Sequence, residues 1–250
     1  MGLYDLSFYD VICRNAVAHG TQLCWHEVDD GRNLNFAQYQ ARVDLLASGL
    51  QRAGVKKGDR IGVVGKNSLE FFLLYGAAAC LGAIVLPVNW RLSPDEICFN
   101  LHDGQPLLLF ADAEFQSALE TGNRLPDSII ARYNLKGDQG SCTGFTSLLR
   151  EGGTVTPADV HSSDGLVIIH TAAVGGQPRG ALLSHSNMLL ANLHFTYALA
   201  ITAGDVHLNL LPLFHVGGLF LATSTFHAGG ANLNISKFDP AAARNPILYF

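Results

Sequence analysis

The apolar positions along this chain change period repeatedly. Between Phe36 and Leu50 they recur at helical spacing, on Phe36, Tyr39, Val43, Leu46 and Leu50, with Asn35 placed to cap the start and Gly54 to end the segment. A polar turn, Lys56-Lys57-Gly58-Asp59, then gives way to Ile61-Gly62-Val63-Val64, a continuous apolar run that suits a strand buried on both faces. The pattern predicts a helix from Ser68 and a strand over 83–88. Ser93-Pro94-Asp95-Glu96 predicts the next helix, because it combines a cap, a first-turn proline and acidic residues at the positive end of the helix dipole. A short strand follows over 107–110. Farther on, Leu166-Val167-Ile168-Ile169 reads as a buried strand, 184–200 as a capped helix and 208–211 as a strand, and a glycine-containing helix begins near Val216. Residues 121–163 give a weaker signal and read as a surface excursion or the edge of a sheet. This alternation predicts an α/β fold, a mostly parallel β-sheet with helices on both faces. There is no internal repeat.

One segment admits a competing reading. Phe71 to Val88 carries no charge and reaches the length of a membrane span. Gly82 interrupts it, Pro87 lies near its end and its second part is β-branched, so a buried helix, a glycine turn and a buried strand are expected, with no membrane span. The first residues, MGLYDLSFYD, hold acidic side chains and no basic region before an apolar run, so no signal peptide is expected and the chain reads as cytoplasmic.

Composition narrows the chemistry a little. Hydrophobic residues make up 48% and charged residues 15%, which excludes a disordered chain. A net charge of −5 and the lack of any Lys/Arg-rich run give no reason to expect nucleic acid. Cys13, Cys24, Cys80, Cys98 and Cys142 are widely spaced and contain no C-x-x-C pair, so reduced, mostly buried thiols are expected and no metal site is assigned.

The most informative stretch follows the strand at 166–169. Thr171-Ala172-Ala173-Val174-Gly175-Gly176-Gln177-Pro178-Arg179-Gly180 joins that strand to a second apolar segment and a capped helix. Glycines let backbone N–H groups approach a polyphosphate and Arg179 adds a charged donor, but a structural turn accounts for the same composition. The stretch matches neither G-x-x-x-x-G-K-[ST] nor G-x-G-x-x-G. It does resemble the signature loop of the adenylate-forming superfamily, which includes acyl-CoA synthetases, luciferases and peptide-synthetase adenylation domains. That loop has the form T-S-G-T-T-G-x-P-K-G-V, followed shortly by S-H-x-N. Thr171, Gly176, Pro178, Gly180, Ser184, His185 and Asn187 fall on the pattern, and Arg179 stands in place of lysine. Ala172, Ala173, Val174 and Gly175 stand where the family has Ser, Gly, Thr and Thr, so Thr171 is the one hydroxyl left in the loop.

The resemblance extends over most of the chain. Gly54-Val55-Lys56-Lys57-Gly58-Asp59-Arg60-Ile61 resembles the family's GVKKGDRV turn, Asn67-Ser68-Leu69-Glu70-Phe71 its NSxEF helix start, and Gly82 to Asn89 its GAVxVPLN strand. Leu211-Pro212-Leu213-Phe214-His215-Val216-Gly217-Gly218 resembles its PLFHxxG segment, where the aromatic residue and His lie at the acyl or aryl pocket. Read as bare residues, a Phe-His pair beside a strand is more often core packing.

The resemblance implies the N-terminal part of the large AMP-binding domain, with 1–200 as a first α/β subdomain, 201–250 as the start of a second, and the family's C-terminal domain absent. It implies an ATP-dependent acyl-CoA synthetase that uses ATP, Mg2+, CoA and a small-molecule carboxylic acid, with a homodimer allowed. Thr171, Ala172, Ala173, Val174, Gly175, Gly176 and Arg179 would then hold the nucleotide phosphates. Phe214, His215 and Gly217 would bind the acid, with His215 also the catalytic candidate. The ending Asn245-Pro246-Ile247-Leu248-Tyr249-Phe250 reads as a truncation or an altered frame. The resemblance also implies a later Y-G-x-T-E segment, a T-G-D aspartate and a C-terminal lysine that have no counterpart here, so the fragment is expected to be inactive alone. The rival reading is a degenerate, non-catalytic module that binds a ligand or a protein. A Rossmann-type dehydrogenase shares the βαβ rhythm but needs a glycine fingerprint that the first strand lacks.

Overall fold

A computed structural model describes residues 5–120, 125–137, 142–150, 154–171, 177–237 and 240. Helix α1 (Phe8–Ala18) starts where Ser7 and Asp10 form a reciprocal capping box, and it buries Phe8, Val11, Ile12 and Asn15 at helical spacing. Strands β1 (Leu23–Glu27) and β2 (Asn33–Asn35) form an antiparallel pair. Asn35 then caps α2 (Phe36–Arg52), as the sequence predicts.

The predicted βαβα run is present. Strand β3 (Arg60–Val64) leads to α3 (Leu69–Leu81), which is capped by Ser68 and closed by Gly82 at φ +63°, a left-handed turn natural to glycine. β4 (Ile84–Val88), α4 (Pro94–Gly104) and β5 (Leu108–Ala111) follow, and α5 (Ala113–Glu120) continues the series. The weak region contributes two short strands, β6 (Ala131–Asn134) and β7 (Thr143–Gly144), and a 3-10 turn over Phe145–Leu149. Next come β8 (Gly165–His170), β9 (Gly180–Ser184) and α6 (His185–Leu199). The last described elements are β10 (Val206–Asn209), α7 (Val216–Ala228) and β11 (Ala231–Asn234).

Seven strands form one sheet in the order β7-β6-β5-β3-β4-β8-β9, parallel throughout except for the final β8/β9 pair. Its two faces carry separate cores. Ile97 and Leu101 of α4 pack with Val64, Leu86 and Leu109 on one face, while α2, α3 and the rings of α1 and α7 form the larger core on the other. The second sheet, β10-β11-β1-β2, draws on residues from both ends of the chain. Phe226 of α7 ties the sheets together, with its ring 5.0 Å from both Phe36 and Tyr39 and 5.7 Å from Phe72.

Helix α3 is buried on every side, which explains its uninterrupted apolar sequence. Among the described residues no helix is long and apolar enough to cross a membrane. Two local expectations shift. The strand expected at 208–211 lies at Val206–Asn209, because Leu210 and Leu211 leave the sheet half-exposed on the way to Pro212. The segment expected simply to follow the loop, Ala181 to Leu183, is the antiparallel partner of β8. The sequence also predicts a helix start at Phe238-Asp239-Pro240, which falls almost wholly outside the described residues.

Candidate functional site

The loop from Thr171 to Arg179 is the connection of a β-hairpin. His170 faces Gly180 across the last register pair, and the Thr171 N–H donates to the Arg179 carbonyl at 3.0 Å, closing the base of the loop. Thr171 and Arg179 are both exposed at that base. Residues Ala172, Ala173, Val174, Gly175 and Gly176, expected to line a phosphate site, lie outside the described residues.

The Phe214–His215 segment is held from the first sheet. Asn67, at the start of α3, accepts from the Leu213 N–H and donates to the Leu211 carbonyl, each at 2.8 Å, so its amide spans Pro212. Tyr75 adds a hydrogen bond to the Leu213 carbonyl at 2.9 Å. These three bonds fix where the chain turns into α7. Phe214 is buried, whereas His215 is exposed and caps α7, its Nδ1 accepting from the Gly217 N–H at 3.2 Å. The next turn is tight. A Cβ on Gly218 would lie 2.2 Å from the Pro212 carbonyl oxygen, so this glycine permits close backbone contact rather than leaving space for a ligand.

Between these two segments lies a cleft of about 760 Å³. Leu92, Phe99, Ile169, Leu183, Phe214 and Val216 supply apolar walls, while Asn89, Asn100, His170, Thr171, Gln177 and His215 supply polar groups. A mostly apolar concavity with a few polar groups suits a small-molecule ligand. Glu96 also reaches it, but its carboxylate accepts from the Ser93 N–H and hydroxyl at 2.9 and 2.8 Å. Those bonds hold its pKa below the ordinary value and commit it to capping α4. Arg91 stands close by, its guanidinium 4.5 Å above the Trp90 ring and 5.5 Å from that of Phe214.

The cleft thus brings Thr171, Phe214 and His215 together, as three of the expected site residues. Arg179 and Gly217 are not part of its lining. Sequence reading missed Asn67, Asn100 and His170. Asn67 sits in a motif read as purely structural. Asn100 and His170 carry no motif of their own, and only the packing of α4 against β9 brings them to one place. Among the described residues no cluster of three or more His, Cys, Asp or Glu could hold a metal.

The family model described as "AMP-binding enzyme" matches residues 14–248, and the chain belongs to that family. It is 33% identical over 220 residues to the indoleacetate–CoA ligase of Aromatoleum aromaticum, covering 86% of this chain and 43% of that protein. It is 29% identical over 210 residues to a long-chain-fatty-acid–CoA ligase of Mycobacterium tuberculosis, covering 82% and 40%. Among solved structures, a Rhodopseudomonas palustris protein assigned as a long-chain-fatty-acid CoA ligase superposes with a TM-score of 0.89 at 38% identity, covering 98% of this chain and 61% of that one. The chain therefore spans less than half the length of the curated relatives it matches. These two relatives are named as ligases of an acid and CoA.

Proposed function

We propose that this chain is the front portion of an ATP-dependent acid–thiol ligase of the acyl-CoA synthetase type. In that reaction a carboxylate oxygen attacks the α-phosphorus of ATP and pyrophosphate leaves. The thiol of CoA then attacks the acyl carbon of the adenylate, and AMP leaves with the bonding electrons. The observation that carries the reading is the shared cleft, which has the root of the glycine-rich hairpin loop at one side and Phe214–His215 at the other.

The chain's own residues would act by binding and orientation. Thr171 and Arg179, with the loop residues Ala172, Ala173, Val174, Gly175 and Gly176 between them, are the groups to hold the phosphates. Magnesium, bound with the nucleotide, supplies charge neutralisation on those phosphates. His215 uses Nδ1 for its helix cap, so Nε2, which has no hydrogen bond among the described residues, is the atom to meet an acid whose apolar body rests on Phe214. The chain by itself is inactive under this reading, since it matches 43% of the length of a complete relative.

A second reading, a non-catalytic binding module, is favoured by one feature: Ala172, Val174 and Gly175 stand where the family's loop has hydroxyls to grip phosphate. Calorimetric titration of this chain with Mg-ATP, beside Arg179→Ala, tests the loop. Saturable binding weakened about tenfold or more in the variant is expected, as for loss of one charge-assisted hydrogen bond. Equal affinity in both proteins would remove Arg179 from the site.

A further inference from the structure

Among the described residues, two buried polar atoms on the wall of the cleft have no partner. Asn100 is 3% exposed and lines the cleft, and its Oδ1 accepts no hydrogen bond among the described residues. The His170 side chain is 5% exposed and lines the same cleft, and its Nδ1 is likewise unpartnered. Buried polar groups in native folds nearly always have partners, so two exceptions on one cleft wall point to a group that arrives with a ligand.

Helix α4 links the two. Asn100 and Asp103 are three residues apart and therefore share a face of the helix. Asp103 Oδ2 lies 2.8 Å from His170 Nε2. An ionised carboxylate only accepts, so a hydrogen resides on Nε2, and Nδ1 is an acceptor whenever the ring carries that single hydrogen. Gly180, opposite His170 in the register, leaves room for this arrangement. A Cβ there would fall 2.8 Å from Ile168 Cγ2, 3.2 Å from Asp103 Oδ2 and 3.3 Å from His170 Nε2. The nearby Glu96 carboxylate is already taken by Ser93.

We propose that Asn100 and His170 form an acceptor subsite that receives an N–H or O–H donor of a ligand in the cleft, with Asp103 as the positioning residue that fixes the His170 tautomer. The inference deepens the ligase reading, on which its choice of ligand rests. Leu92, Phe99 and Ile169 make the surroundings apolar, so the fitting ligand is an amide or hydroxyl set in an otherwise apolar chain or ring. Such a donor belongs either to the acid or to the amide-bearing arm of the thiol cosubstrate.

The test titrates this chain with pantetheine, with 4-hydroxyphenylacetate and with 4-methoxyphenylacetate. Affinity is read by calorimetry, and the His170 ring nitrogens and Asn100 amide by 15N NMR. At least one donor probe is expected to saturate and to move the His170 Nδ1 resonance, with Asn100→Leu and His170→Phe each weakening it about tenfold or more. Loss of binding on O-methylation assigns the donor to the acid, whereas a response to pantetheine alone assigns it to the cosubstrate. The ligand change needs no altered protein, so the result does not depend on a variant that folds. Asp103→Asn, at an exposed position, is expected to show a mixture of His170 tautomers in the free chain. If neither probe perturbs Asn100 or His170, or if the variants bind as the parent does, the subsite is overturned. Mg-ATP binding by the same sample would then leave the ligase reading standing, and its absence would count against that reading as well.

Discussion

Asn67 accepts a hydrogen bond from the Leu213 N–H at 2.8 Å across 146 positions of sequence. With its second bond, to the Leu211 carbonyl, it fixes the backbone that delivers Phe214 and His215 to the cleft. The bond to Leu213 is buried, and removing the amide strands a buried N–H. Asn67→Ala should therefore lower stability by roughly 1–3 kcal/mol. Urea unfolding monitored by circular dichroism measures this, and a loss below about 0.5 kcal/mol would show that the segment holds its place without the clamp.

His185 shows how a signature residue can serve the fold instead of the chemistry. Its ring is fully buried and Nδ1 accepts from the Phe8 N–H, at the start of α1, at 3.0 Å. Burial lowers its pKa from the ordinary 6.5 to about 4. Between those values the unfolded chain binds a proton that the folded chain does not, so stability is complete above about pH 6.5 and falls as the pH drops toward 4. The loss at the bottom of this window is on the order of 3 kcal/mol. Burial and the neighbouring Arg14 lower His227 to about 4 as well, in the same direction. Unfolding free energies from pH 7.5 to 4.5 should show this slope, and His185→Gln should flatten part of it. A profile unchanged by that substitution would contradict the assignment.

Much of this fold was legible because its central strands are buried on both faces and its helices carry side-chain caps. Ser68, Ser93 and Ser184 each cap the helix that the sequence predicts there. The second sheet was harder to read. Strand β11 is Ala-Asn-Leu-Asn, four residues whose alternation suggests one solvated face although all are buried, and β1 opens on three apolar residues but ends on the buried Glu27, so each gives a short and misleading signal. Glu27 is accommodated by donors from Trp25 at 2.7 Å and Asn234 at 3.0 Å, while burial raises its pKa. Such pairings exist only once distant segments meet. Helix α1 did carry a signal, Ser7 three residues ahead of Asp10 with Phe8, Val11 and Ile12 on one face, close to the chain start. In the site, Phe214 and His215 were legible through a motif, whereas Asn100 and His170 depend on one helix packing over one hairpin.

The loop composition yields a direct test of phosphate affinity. Ala172→Ser with Val174→Thr restores two hydroxyls to the stretch between Thr171 and Arg179. If that loop holds phosphates, each restored hydrogen bond to a charged oxygen is worth about 1.5–3 kcal/mol, so Mg-ATP should bind about tenfold more tightly or better. Calorimetry checks this against the unaltered chain, and an unchanged affinity would mean that the loop does not meet the phosphates.

The central claim is that the protein carrying this chain activates acids as adenylates. Pyrophosphate release from Mg-ATP by that longer protein, assayed with and without a panel of carboxylic acids, addresses it most directly. Release that depends on the added acid, and falls sharply in Arg179→Ala, is the predicted result. No acid-dependent release from the folded longer protein would contradict the claim and leave the non-catalytic binding module as the better account.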